Sequence, residues 1–255
     1  VPSLHAETRG EGDRTLVLAH GFTQTGRLWG AFGVRIGRGR RLVTVDLPGH
    51  GGSSEVRADL SHGGRLLLDA AGSGPIELAG YSLGARFALH AALAAPERVA
   101  RLVLISGTAG IEDPEERERR RRRDAQLADE LEEGGDVDAF IRQWLAAPMF
   151  ATLRGGAAGA DERRRNSAAG LASSLRLAGA GAQEPLWHRL GELTMPVLVL
   201  AGATDPRYQA LGARLAAGTG GTFAVVPGAG HAVHLEQPAL SARIVDQWLA
   251  AGDEA

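Results

Sequence analysis

The sequence predicts an α/β protein, a mostly parallel doubly wound sheet interrupted by a helical insertion, and three observations carry that prediction. Short apolar runs bounded by Gly, Pro and Asp alternate with longer helical patterns, the sign of βαβ units. Each run is rich in Val, Leu or Ile, as strands buried on both faces require. Between Ser106 and about Leu190 the strand-like runs stop and only helical patterns remain. At 255 residues the chain is long enough for one α/β domain with a generous core.

The expected strands are Thr15–Ala19, Leu42–Val45, Ile76–Ala79, Leu102–Ile105, Val197–Ala201 and Phe223–Val226. Helices are expected over Leu83–Ala94, Tyr208–Ala217 and Pro238–Ala250. In the insertion, Asp113-Pro114 reads as an N-cap followed by proline at the first helical position. A charged helix then runs over Glu115–Glu133, and a second over Asp136–Leu145. The Gly/Ala-rich stretch Gly155–Ala160 reads as a hinge or loop, and Asp161–Ala178 as a third helix. Residues 1–106 and 191–255 form the expected core, with residues 107–190 inserted as a helical lid over the strand edge where such sheets bind ligands.

Composition narrows the function. Net charge is -2, which offers no global surface for a polyanion, and nucleic acid is not an expected partner. All 28 basic residues are arginine, as coding bias in a GC-rich genome would give. With no cysteine, disulfides, thiolate metal sites and a cysteine nucleophile are excluded. Arg9, Glu11, Asp13 and Arg14 precede the first apolar run, with no secretory h-region, and no run approaches a membrane span. The expectation is a cytoplasmic protein without membrane insertion, whose oligomeric state the sequence leaves open.

The chemistry lies where strands end. Gly80-Tyr81-Ser82-Leu83-Gly84 matches G-x-S-x-G between an expected strand and an expected helix, the setting in which flanking glycines permit a sharp turn that lifts a serine hydroxyl above the sheet. That motif requires an acid and then a histidine, in that chain order. Asp205 follows the strand Val197–Ala201, and His231 follows Phe223–Val226. Asp205 also suits a helix N-cap before Pro206. His234 is the rival base, one helical turn later, and suits a pocket or supporting place better. Asp46 precedes the serine and suits bracing the Leu47–Gly52 turn. His20-Gly21-Phe22 follows the first strand, so the Phe22 and Leu83 amides would make a pair of oxyanion donors, with His20 bracing the loop. These elements together predict the α/β-hydrolase fold with Ser82, Asp205 and His231 as a triad.

The chain resembles the 2-succinyl-6-hydroxy-2,4-cyclohexadiene-1-carboxylate synthases of menaquinone biosynthesis. The resemblance rests on Gly80-Tyr81-Ser82-Leu83-Gly84-Ala85-Arg86, on Gly110–Arg117 continuing to Arg120 and Asp124, and on Trp144, Pro148-Met149-Phe150 and Arg165-Asn166. It implies a lyase that eliminates pyruvate from a small polycarboxylate without metal or organic cofactor. It also implies substrate-binding arginines at Arg86, Arg120 and Arg165, a lid tryptophan at Trp144, and a place for Tyr81 beside the substrate. Arg207-Tyr208 stands where many members have lysine-phenylalanine.

Plainer readings stand beside these. Arg86 also suits packing against the sheet, Trp144 suits the core of the lid, and Tyr81 suits packing at the elbow. Most of the Arg119–Arg123 run suits a solvated helix face paired with Glu115, Glu116 and Glu118, while Arg117, Arg120 and Asp124 share a face that could look into the cleft. Two other functions use the same scaffold: a serine hydrolase of small esters or diketones, and a non-catalytic ligand receptor.

Overall fold

The computed structural model describes residues 2–251. Seven strands form one sheet: β1 (Ala6–Arg9), β2 (Thr15–Ala19), β3 (Arg41–Val45), β4 (Ile76–Tyr81), β5 (Val99–Ile105), β6 (Val197–Gly202) and β7 (Thr222–Val226). Their spatial order is β1-β3-β2-β4-β5-β6-β7, with β1 antiparallel to β3 and every other pair parallel. All six strands expected from the sequence are present. The seventh, β1, was not expected: Ala6-Glu7-Thr8-Arg9 is a half-exposed edge strand without the apolar run that marks the others.

Helices cover both faces. Before the insertion come α1 (Gly30–Ile36), α2 (Leu60–Ala70) and α3 (Leu83–Ala94). Within it lie α4 (Pro114–Gly134), α5 (Val137–Leu145), the short α6 (Gly155–Ala158) and α7 (Ala160–Arg163), and α8 (Ala168–Ala178). After it come α9 (Pro206–Thr219), the single turn α10 (Val233–Glu236) and α11 (Pro238–Ala250). One apolar layer joins Leu78, Leu104 and Val199 of the sheet to Leu67, Phe87 and Leu215, and the other joins Leu18, Val103 and Leu200 to Phe32 and Val245. Successive residues of each central strand thus alternate between two helical layers, which is why these strands read as unbroken hydrophobic runs.

The helices between β5 and β6 begin and end on local signals. Asp113 caps α4, accepting from the Glu115 and Glu116 amides, and Gly135 ends the helix in the left-handed conformation at φ 62°. The stretch expected as one helix over 161–178 is two. Ser167 caps a new helix by accepting from the Gly170 amide at 3.1 Å, and the chain turns between α7 and α8. These helices have their own small core of Ala128, Leu131, Phe140, Leu171 and Leu175, against which Phe22 from the β2 loop also packs.

Register aligns the C-terminal ends of the strands. Ala19 of β2 lies beside Gly80 of β4, Tyr81 beside Ile105 of β5, and Gly202 of β6 beside Val226 of β7. Every loop singled out in the sequence therefore leaves from one edge. Near the opposite end of β4, buried Glu77 is held by Arg14 and by Arg40 (3.0 Å).

Candidate active site

Ser82 sits between β4 and α3 at φ 51° and ψ −105°, a conformation that non-glycine residues rarely adopt. The glycines around it make the turn possible. A Cβ on Gly80 would lie 2.3 Å from the Gly84 carbonyl oxygen, and one on Gly84 would lie 1.9 Å from that of Ala19. Gly84→Ala must push α3 away from β2, and a loss of at least about 1–3 kcal/mol is expected. Urea unfolding checks this; an unchanged midpoint would mean that the helix has room to retreat.

Asp205 and His231 follow β6 and β7, as expected. His231 Nδ1 lies 3.0 Å from Asp205 Oδ2, and His231 Nε2 lies 3.1 Å from Ser82 Oγ. A carboxylate only accepts, so Nδ1 carries the proton it donates, which leaves Nε2 to accept from the serine hydroxyl. The other Asp205 oxygen accepts from the Tyr208 amide at 3.2 Å, so this residue caps α9 and orients the histidine at once. Burial pushes the Asp205 carboxyl up, but the His231 hydrogen bond, the Tyr208 amide and the His231 and Arg207 charges outweigh it, and the group lies below its ordinary value.

The loop carrying His231 is fixed from several sides that the sequence did not reveal. Glu236 accepts from the amides of Gly230 and Ala232, either side of His231, both at 2.9 Å. Ser106 at the end of β5 donates its hydroxyl to the His231 carbonyl at 2.8 Å, and Thr204 donates to that of Ala229 at 3.0 Å. The non-glycine residues with positive φ among those described are Thr23, Ser82 and Ser106, all at this strand edge. Backbone strain is thus gathered where the reacting groups must be aimed.

Phe22 and Leu83 both line the cavity at Ser82, and neither amide is spent on an acceptor among the described residues. The loop that carries Phe22 is braced by neutral histidines. His20 donates through Nδ1 to the Gly21 carbonyl and accepts the Leu47 amide at Nε2, while His50 donates to the Pro48 carbonyl and accepts the Thr23 amide. Burial lowers His20 to about 4 and His50 to about 3, so both work uncharged. Asp46 braces its turn, accepting from the Gly26 and Gly52 amides at 2.7 and 2.8 Å.

A cavity of about 270 Å³ opens between Ser82 and the helices that follow β5. Three of its lining residues are arginines, Arg86, Arg120 and Arg207, against a single carboxylate, Asp205, which His231 already engages. Arg86 leaves α3 one turn after the elbow and donates to the Ala178 carbonyl at the end of α8, at 2.6 Å. Burial drives its guanidinium down to about 10, still charged at neutral pH. Arg120 is half-buried and held by buried Asp124 at 2.8 Å. Arg207 is more exposed, 3.9 Å from Glu116. Arg119, Arg121 and Arg122 pair with Glu115 or Glu118 on the solvated face, as the plainer reading had it.

The structure corrects one residue. Arg165 does not reach the cavity: its side chain is about half exposed and pairs with Glu162 at 3.3 Å. The break between α7 and α8 turns that face outward. Arg163 points in instead, nearly fully buried beside Tyr81, Ser82 and His231. It donates to the Ala158 and Phe22 carbonyls and to the Thr23 hydroxyl, with no carboxylate partner among the described residues. Asn166 completes the clamp, donating to the Thr23 carbonyl and accepting the Gly51 amide at 2.8 and 2.9 Å.

Trp144 lines the cavity and also packs edge-on to Phe22 at 5.0 Å and beside Phe140, so it is part of the lid core and of the cavity wall at once. Tyr81 packs at the elbow against His231 and His234 and lines the inner cleft. His234 is no rival base: it is buried among Trp29, Phe32 and Tyr81, away from Ser82 Oγ, which His231 holds.

A serine–histidine–aspartate relay beside paired loop amides, on a parallel sheet edge, is the working centre of an α/β hydrolase. Residues 16–244 match the family model described as the alpha/beta hydrolase family. The 2-succinyl-6-hydroxy-2,4-cyclohexadiene-1-carboxylate synthase of Escherichia coli O1:K1 is 34% identical over 250 residues, which cover 92% of this chain and 94% of the relative. A solved structure of MenH from S. aureus superposes with a TM-score of 0.90 at 27% identity, covering 97% of this chain and 98% of that one. A hydrolase from Pseudomonas aeruginosa PA01 gives 0.80 at 25% identity, covering 96% and 94%. The chain belongs to the alpha/beta hydrolase family, within the group of the 2-succinyl-6-hydroxy-2,4-cyclohexadiene-1-carboxylate synthases.

Proposed function

We propose that the chain is a carbon–oxygen lyase that eliminates pyruvate from 2-succinyl-5-enolpyruvyl-6-hydroxy-3-cyclohexene-1-carboxylate in menaquinone biosynthesis. The observation that carries the reading is the pairing of the Ser82–His231–Asp205 relay with a cavity lined by three arginines. An esterase would want an apolar acyl slot there, whereas a substrate with three carboxylates wants fixed, permanently charged forks.

The chemistry follows from where the double bonds sit before and after. The ring carbon bearing the succinyl group is acidified by the adjacent ketone. Ser82, made basic by His231, removes its proton, and that electron pair forms the C2=C3 bond. The former C3=C4 pair moves to C4=C5, the C5–O bond breaks, and enolpyruvate leaves to take up a proton on carbon as pyruvate. The Phe22 and Leu83 amides hold the charge that develops on the ketone oxygen. Arg163, a buried cation beside that loop, supports the same charge and positions Phe22. The helices over 107–190 act as the lid that closes Arg120 and Trp144 over the substrate. No acyl-enzyme and no cofactor enters these steps.

The test is pyruvate release from freshly made substrate, coupled to lactate dehydrogenase and compared with the substrate's own slow decay, alongside a p-nitrophenyl ester panel. Fast pyruvate release with feeble ester cleavage is expected. Arg86→Ala and Arg120→Ala should each lower kcat/KM by about 10- to 150-fold, the worth of one charge-assisted contact, and Arg165→Ala should leave it within about twofold, as surface changes do. Background pyruvate release with brisk ester turnover would make the chain a serine hydrolase instead.

A further inference from the structure

Two residues that line the arginine-lined cavity carry a buried neutral polar group with no hydrogen-bond partner among the described residues. Ser174, on α8, is 4% exposed, lines the cavity with Ser82, Arg86 and Arg120, and its hydroxyl has no hydrogen-bond partner among the described residues. Trp144 lines the same cavity, and its indole Nε1–H is likewise buried without a partner. A helical serine commonly satisfies itself on the carbonyl one turn back; Ser174 does not. An orphaned buried donor costs stability, so its presence in a cavity needs a reason.

The charges in this cavity are assigned to carboxylates, and the loop amides to the ketone. What remains on the proposed substrate, once its leaving group is set aside, is the ring hydroxyl at position 6. A hydroxyl both donates and accepts, which matches a serine hydroxyl and an indole N–H better than any carboxylate does. We propose that Ser174 and Trp144 form a neutral subsite that reads the ring hydroxyl, with Ser174 as a specificity-determining residue. This rests on the lyase reading above.

The consequence is discrimination between two ligands with the same carbon skeleton: the hydroxyl-bearing product and 2-succinylbenzoate, which differs from it by loss of that hydroxyl as water. A site built to bond a hydroxyl rejects the analogue lacking it, because its own polar groups are left unpaired. Binding of both ligands is measured by calorimetry for the wild type and for Ser174→Ala, with Tm recorded for each. The expected result is product binding about tenfold weaker in Ser174→Ala, with 2-succinylbenzoate unchanged, as for one neutral hydrogen bond. Equal weakening of both ligands would make Ser174 a packing residue, and no change in either would place the hydroxyl elsewhere; each overturns the subsite while wild-type pyruvate release still stands. If the wild type neither releases pyruvate nor binds either ligand, the lyase reading fails and the subsite falls with it.

Discussion

Ser82→Ala is expected to lower kcat for pyruvate release by about 10²–10⁴-fold, the range for removing a positioned acid–base group, while KM changes little. In the proposed mechanism the serine meets the reacting carbon and binding is assigned to Arg86, Arg120 and Arg207, none of which bonds to Ser82. Alanine keeps the elbow's backbone, since Ser82 already holds φ 51° with a Cβ in place. His231→Ala should cost as much, and the double variant little more than either alone, because the two groups act as one relay joined at 3.1 Å. Asp205→Asn keeps the α9 cap but can present an amide N–H to His231 Nδ1, and it should lose a similar factor. The measurement is steady-state pyruvate release with the uncatalysed decay subtracted. A raised KM with normal kcat in Ser82→Ala would mean that the serine only binds. Deuterium at the ring carbon bearing the succinyl group should slow the wild type if proton removal limits turnover, which no ester-cleaving use of the serine predicts.

The parts of this site that could be read from the sequence are those fixed by local backbone geometry. The elbow needs glycine on both sides of the serine, so Gly80 and Gly84 announce it, and buried parallel strands announce themselves as apolar runs. Asp205 and His231 follow because each must stand just past such a strand. Arg86 was legible for the same reason: one turn of helix separates it from the elbow, and helical spacing carries it to the cavity. Arg163 and Arg165 were not separable. In the stretch Glu162-Arg163-Arg164-Arg165-Asn166, only the turn made by the Ser167 cap decides which arginine faces inward. Arg165 came from the resemblance alone, and the helix expected through this stretch is broken. The brackets around His231 were hidden for another reason. Glu236 and Ser106 look like ordinary polar residues until folding brings them to the Gly230, Ala232 and His231 backbone groups. Ser174 is hidden in the same way, as a small residue on a helix that reads as core.

Acid should begin to destabilise this protein well above the pH at which its carboxylates titrate, because four histidines are held neutral inside it. Burial lowers His20 and His90 to about 4 and His50 and His234 to about 3, against an ordinary value near 6.5. Below pH 6.5 the unfolded chain takes up these protons and the folded chain does not, so stability is fully present above that pH and drains away as pH falls towards the folded values. Each histidine contributes about 1.4 kcal/mol per pH unit once the unfolded form is protonated, and four together about 5. Against a typical stability of about 5–15 kcal/mol, a fall of one to three units suffices, which places acid unfolding at about pH 3.5–5.5. Urea titrations at half-unit steps from pH 7.5 to 4.5 read the slope directly. His234→Phe isolates one contribution: the ring lies among Trp29, Phe32 and Tyr81, and neither of its nitrogens has a hydrogen-bond partner among the described residues. Phenylalanine can occupy that aromatic nest without binding a proton when unfolded. The variant should lose about a quarter of the acid slope and match or exceed the wild type at pH 5.5. An unchanged slope would mean that His234 meets solvent or a carboxylate in the folded protein, and the neutral aromatic packing behind Tyr81 and the Ser82 elbow would have to be redrawn.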